Sequence, residues 1–350
     1  MDKLTQNFSK KLLAWYDVHG RHTLPWKQNP SAYRVWISEI MLQQTQVATV
    51  IPYYEHFLKS FPTLKKLAEA PIDLVLKHWA GLGYYARGRN LHKAAQMLVQ
   101  NFHEKFPHAI EELETLPGIG RSTAGAIASF AFGISAPIMD ANVKRVFARY
   151  FGIQESLKEK KIIALLWNHA EKAIPQDRPG DYNQALMDLG SSICNAKNPQ
   201  CLICPLNKNC VACCTQMQMR IPFQAKERKK EKPSKLSRLL LIQHNDRILL
   251  EKRPNFGIWG GLWSLPECSM ADDPTIYCRS TFGIAAPSRK NHPEFKHVFT
   301  HYTAIFHPVR LPIKNVPMQL MEDGTRVWYK MGDALPGGLP TPIQKLLKNL

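Results

Sequence analysis

At 350 residues and 40.0 kDa the chain is too long for one ordinary core, which excludes a lone repeat or a small peptide factor and predicts two domains. Lys and Arg outnumber Asp and Glu by 46 to 28, a net charge of +18 with a sequence pI near 9.6, so a polyanionic partner is expected, either nucleic acid or an anionic membrane face. No apolar run approaches bilayer-spanning length, and the start, Met1 to Gln6, lacks the apolar stretch of a secretion signal, so a soluble chain that does not cross a membrane and a cytoplasmic location are expected.

From the start to about residue 220, apolar residues recur at helical spacing, and an all-helical region is expected. Helices are predicted over 33–50, 72–79 and 86–101, and another from Asn142, with Val143, Val146, Phe147, Tyr150 and Phe151 on one face. Within the first, Glu39 has Val35, Trp36, Leu42 and Gln43 as its helical neighbours, none of them cationic. Such a carboxyl is expected to hold its proton through desolvation, as a general acid must.

Leu116-Pro117-Gly118-Ile119-Gly120-Arg121-Ser122-Thr123 joins two helical patterns through a turn whose glycines allow close backbone approach. Its free N–H groups would face a phosphate, as in a helix-hairpin-helix that grips DNA without reading sequence. Asp140 immediately precedes the helix predicted near Asn142, where the positive end of the helix dipole is expected to keep it ionised. One carboxyl protonated by burial and one held anionic suit a reaction through a positively charged sugar.

Six of the eight cysteines lie between Cys194 and Cys214, which points to a metal site in a reducing compartment. Cys194, Cys201, Cys204 and Cys210 supply four thiolates, suited either to zinc or to a cubane iron–sulfur cluster. Cys213 and Cys214 are left as spare thiols, and Cys268 and Cys278 as ordinary residues of the second domain. A basic linker follows at 221–236. Beyond it come β-prone runs at 239–243, 247–252, 297–306 and 326–329, then a closing helix with Thr341 as N-cap and Pro342 at its first position.

Leu24-Pro25-Trp26, the Trp36 to Val47 block, Gly81 to Arg87, Leu116 to Thr123, Met139 to Arg145 and the four-cysteine loop together resemble the MutY family of adenine DNA glycosylases, in the helix-hairpin-helix superfamily. The resemblance implies a multidomain fold. An all-α glycosylase region at 1–220 would comprise a six-helix module (about 29–134) and an iron–sulfur module (about 1–28 and 135–220). An α+β Nudix-like domain would follow at 237–350.

It further implies a monofunctional enzyme acting as a monomer on double-stranded DNA, excising adenine opposite 8-oxoguanine or guanine, with a 4Fe–4S cluster on Cys194, Cys201, Cys204 and Cys210. Glu39 would protonate the flipped adenine, Asp140 would stabilise the oxocarbenium ion, and Asn142 would orient this acidic machinery. Leu24 and Trp26 would line the base pocket, while Gln43, Gln44, Thr45, Leu82 and Tyr84 would contact or wedge the opened duplex. Gly118, Gly120 and Ser122 would lie on the DNA-binding hairpin.

Bifunctional relatives such as endonuclease III carry a lysine where this chain has Ser122, so strand cleavage is not expected. Gly261 to Glu267 opens like a Nudix box, but no run of carboxylates follows, so the domain resembles a Nudix fold without hydrolysis. Phe299-Thr300-His301 matches the family's Phe-Ser-His loop that senses 8-oxoguanine, with the hydroxyl retained. The alternatives are an endonuclease III-like glycosylase/lyase, a Nudix hydrolase of free nucleotides and a non-catalytic iron–sulfur DNA-binding protein.

Overall fold

The computed structural model describes residues 3–223, 232–286, 288–316 and 324–350; residues 224–231 of the expected linker lie outside them. In chain order the first helices are α1 (Lys3–His19), α2 (Ala32–Leu42), α3 (Val47–Ser60), α4 (Leu64–Glu69), α5 (Ile72–Trp79) and α6 (Ala86–Phe102). They are followed by α7 (Ile110–Glu114), α8 (Arg121–Phe132), α9 (Ala141–Phe151), α10 (Lys160–Ala173), α11 (Pro179–Ser192) and α12 (Val211–Cys214). The chain divides into two compact units, Met1–Glu69 with Asn90–Glu227, and Ala70–Arg89 with Arg228–Leu350. This division differs from the single break expected near residue 221, because Leu76 of α5 is buried in the core of the second unit.

The core of the first unit follows from one apolar stripe per helix. Phe8, Leu12 and Tyr16 of α1, spaced four apart, meet Val143, Val146, Phe147 and Tyr150 of α9 and Tyr182, Leu186 and Leu189 of α11. Phe8 lies edge-on to Tyr150 at 4.6 Å. Each such side chain stabilises the unit by about 1.5–3 kcal/mol relative to exposure.

The single helix expected over 33–50 is two. Ser31 caps α2 by accepting from the Arg34 N–H, and α2 ends at Leu42. Gln44 then takes a left-handed φ of +56°, and α3 restarts at Val47. The break turns Gln43 toward α8, where its Nε2 donates to Thr123 Oγ1 at 3.4 Å.

In the second unit β1 (Ser234–His244) runs parallel to β7 (Thr303–Ile313) in register from Ser234 opposite Thr303 to His244 opposite Ile313. The sheet order is β3-β2-β1-β7-β5, with β2 (Arg247–Lys252), β3 (Trp263–Ser264) and β5 (Lys290–Asn291). Strands β4 (Glu267–Cys268), β6 (Phe295–Val298) and β8 (Arg326–Lys330) pair with β1, β7 and β2 respectively. Both faces of β1 are covered, so its centre is continuously apolar. Leu239 and Leu241 face a core with Leu76, Leu250, Trp263 and Phe306. Leu240 and Ile242 face another with Leu249, Phe282, Val309 and Leu311, which also holds Cys268 and Cys278.

The run expected at 297–306 is interrupted by a turn at 299–302, closed by the Phe299 N–H donating to the Tyr302 carbonyl at 2.8 Å. Helix α13 (Pro274–Phe282) packs on the second of these cores, and α14 (Thr341–Lys348) on the first. Thr341 is not the N-cap of α14: Pro340 occupies that position without a side-chain bond, and Thr341 and Pro342 are already helical.

Candidate active site

Glu39 projects from α2 into a cavity of about 280 Å³ in the first unit, lined also by Tyr16, His22, Trp26, Lys27 and Gln184. Val35, Trp36, Ile37, Ile40 and Met41 of the same helix are buried, and Glu39 itself is half-buried. Burial, with the charge of Asp140 as a lesser cause, pushes the Glu39 pKa up to about 8. It is therefore a carboxylic acid at neutral pH.

Asp140 caps α9 by accepting from the Val143 N–H at 2.7 Å and from Asn142 Nδ2 at 3.1 Å. Arg145 holds Asn142 in turn, donating to its Oδ1 at 2.8 Å, and also reaches the carbonyls of Gly190 and Cys194. The expectation that the helix terminus alone fixes the charge of Asp140 needs correction. Burial is the largest influence and pushes its pKa upward, against the lowering donors Val143 and Asn142 and the cation Arg145. The two acids still differ in kind, because Asp140 has donors that stabilise its anion, whereas no hydrogen bond reaches Glu39 among the described residues.

Sequence reasoning missed the carboxylate that holds Lys27, one of the residues lining the cavity. Asp188 of α11 is buried and binds Lys27 Nζ at 3.0 Å and Arg21 through both its backbone N–H and its guanidinium. Lys27 Nζ also lies 3.2 Å from the Tyr16 hydroxyl. The available signal was a carboxylate inside the apolar run Leu186 to Leu189, the same pattern that singled out Glu39. Asp188→Asn is expected to destabilise the protein by about 2–3 kcal/mol, since it strips charge from several hydrogen bonds and leaves the enclosed Lys27 ammonium less compensated. Urea unfolding at neutral pH measures this.

Trp26, 5% exposed, stands edge-on to Tyr54 at 5.5 Å and forms one wall of the cavity, while Leu24 caps the short 3-10 turn Pro25–Lys27 that presents it. At the hairpin, Gly118 has φ +82° and a Cβ there would meet Asn90 Cβ at 3.0 Å. Gly120 begins α8 without a side-chain cap. Ser122 Oγ accepts from the Met139 N–H at 3.0 Å, one residue before Asp140. Thr45 Oγ1 donates to the Gln43 carbonyl at 3.4 Å.

In the second unit Leu82 is 6% exposed, so the apolar wedge expected there is covered, whereas Tyr84 is 47% exposed at φ +48°. The Tyr84 hydroxyl lies 3.3 Å from Thr300 Oγ1 at the exposed tip of the 299–302 turn. Phe299 anchors that turn against Trp259, and His301 is exposed beside Thr300. Glu267, the carboxylate of the Nudix-like segment, is paired with Arg253, and α13 carries no acid along its length.

Cys194, Cys201, Cys204 and Cys210 line one small cavity together with Cys213 and Arg149. Arg149 Nη1 donates to Cys194 Sγ at 3.4 Å and to the Asn195 carbonyl at 2.7 Å. Burial pushes the Cys204 and Cys210 thiols up to about 12 and 11. Among the described residues no three His, Cys, Asp or Glu side chains converge on a single ion. An all-thiol set facing a cavity, with a cation on one sulfur, fits a multinuclear iron–sulfur group by its donor chemistry.

Residues 37–172 match the model of the HhH-GPD superfamily of base excision DNA repair proteins, and residues 238–349 match a NUDIX domain. The chain is 39% identical to an adenine DNA glycosylase of Buchnera aphidicola subsp. Acyrthosiphon pisum, covering 98% of this chain and 97% of the relative. It is 40% identical to that of Buchnera aphidicola subsp. Baizongia pistaciae, covering 98% and 96%. A thermostable thymine-DNA glycosylase of known structure matches 61% of this chain and 98% of its own, with 27% identity and a TM-score of 0.56. No helix among the described residues is long and apolar enough to cross a membrane.

Proposed function

From its membership of the adenine DNA glycosylase family, and from a protonated glutamate in a base-sized cavity coupled to a second carboxyl, we propose that this enzyme excises adenine opposite 8-oxoguanine or guanine in duplex DNA. The glutamate in its cavity carries this reading. An adenine stacked in a duplex is out of reach, so the nucleotide swings out and its base enters beside Trp26. Glu39 gives its proton to the purine N7, turning a poor leaving group into a neutral one. As the C1′–N9 bond breaks, positive charge develops on the sugar, and the Asp140 carboxylate lowers its energy. Asn142, held by Arg145, keeps that carboxylate oriented.

The uncapped start of α8 at Gly120, beside Gly118, is the proposed phosphate grip, with Gln43, Gln44 and Thr45 on the opened duplex. Tyr84 is presented for insertion, and Leu82 would follow only after leaving its covered position. Ser122 offers a hydroxyl that cannot form an imine, so the base is released without strand cleavage. The enzyme is proposed to act as a monomer near the nucleoid. Cys194, Cys201, Cys204 and Cys210 would hold a 4Fe–4S cluster, which when bound cross-links the loop after α11 and thereby stabilises the fold. A duplex with adenine opposite 8-oxoguanine, guanine or thymine, analysed with and without alkali, tests the proposal: adenine release with nicking only after alkali supports it, and nicking without alkali refutes the monofunctional assignment.

The tip of the 299–302 turn is the proposed sensor of the opposite base. Thr300→Ala is expected to narrow the ratio of excision rates opposite 8-oxoguanine and guanine by roughly tenfold, the equivalent of one hydrogen bond. An unchanged ratio in single-turnover measurements would place the sensor elsewhere.

A further inference from the structure

Helix α12 directs two adjacent thiols to different surroundings. The Cys214 N–H donates to the Cys210 carbonyl at 2.9 Å, closing one helical turn. Cys214 is exposed, and its thiol lies 3.7 Å from the Lys208 carbonyl. Cys213, one residue earlier, is half-buried and lines the cavity shared by Cys194, Cys201, Cys204 and Cys210. The cavity therefore holds a fifth sulfur beside those of the four.

We propose that Cys213 is a reserve ligand for the iron–sulfur cluster, able to take the place of Cys201 without refolding of the loop. This inference rests on the assignment of the cluster to the four cysteines. The exchange is balanced within the pair: the Cys201 sulfur–iron bond breaks, the Cys213 sulfur–iron bond forms, and the Cys213 proton goes to the departing Cys201 thiolate. No electron is transferred. Cys214 is exposed, and Cys268 and Cys278 are enclosed in a core of the second unit.

The test uses the full chain purified anaerobically as wild type, Cys201→Ala, Cys213→Ala and the double variant, with iron and acid-labile sulfide measured per folded chain. Wild type, Cys213→Ala and Cys201→Ala are expected to retain the cluster, and the double variant to hold on the order of tenfold less iron. Mass spectrometry after alkylation adds a readout independent of activity: Cys213 reacts in wild type and becomes protected in Cys201→Ala. Should Cys201→Ala aggregate, Cys201→Val, which likewise offers no ligand atom, provides the same comparison. Loss of iron from the single Cys201 variant as complete as from the double would overturn the proposal, as would iron retained by the double variant. Wild type devoid of iron and sulfide would instead remove the cluster assignment itself, and the reserve role with it.

Discussion

Glu39→Gln is expected to bind an adenine:8-oxoguanine duplex normally and to release adenine roughly 10²–10⁴-fold more slowly, the range for loss of a general acid. The amide preserves size and polarity but cannot deliver a proton to N7. In wild type, single-turnover rates should fall about tenfold per pH unit above about 8, where the acid ionises, and the residual rate of Glu39→Gln should lack that limb. Near-normal release by the variant would eliminate Glu39 as proton donor.

The same substitution should raise stability. The pKa of Glu39 is higher in the folded chain than the ordinary 4.5 of a glutamate, so its ionisation opposes folding. Wild type and Glu39→Gln should match below pH 4.5, where the carboxyl is neutral in both folded and unfolded states. The advantage of the variant should then grow as pH rises, levelling off above about 8 at about 5 kcal/mol. Thermal unfolding at pH 4 and pH 9 gives the sign directly.

Asp140→Asn should lower the single-turnover rate by roughly 10²–10³-fold, the magnitude found when one group facing a transition-state charge is neutralised. Asparagine is as good an N-cap as aspartate, so the Val143 N–H keeps an acceptor and α9 keeps its start. A second consequence separates an electrostatic role from a structural one. The charge of Asp140 raises the pKa of Glu39, so its removal should shift the alkaline limb of the residual activity to lower pH. Unaltered rates, or a limb that stays in place, would take Asp140 out of the mechanism.

What the sequence disclosed depended on how local each cause is. Glu39 was legible because an uncompensated carboxyl within a helical apolar run is a contradiction visible over eight residues. Asp140 was legible as a cap but not in its protonation, since its burial depends on packing that includes the close approach of Gly190 to Asn142, with which a Cβ would collide at 2.6 Å. The Lys27–Asp188 pair joins side chains 161 positions apart, so the apolar run that marks Asp188 could not name its partner. Gln43 to Gln46 contain neither glycine nor proline, so nothing announced the left-handed Gln44 that divides α2 from α3. At the last helix Thr341-Pro342 looked like a cap and first residue, but Pro340, with extended dihedrals, already occupies the capping position.

Leu76 lies among strand residues that the ribosome delivers more than a hundred positions later, and the sheet's central pair brings together strands from opposite ends of its C-terminal stretch. The helical unit can begin to assemble from neighbouring segments, whereas the sheet unit cannot close until nearly the whole chain has been synthesised. Until then residues 70–89 remain without their final companions. A message cut short after the cysteine loop would therefore yield a chain in which Leu76 lacks the strand residues that bury it in the complete protein.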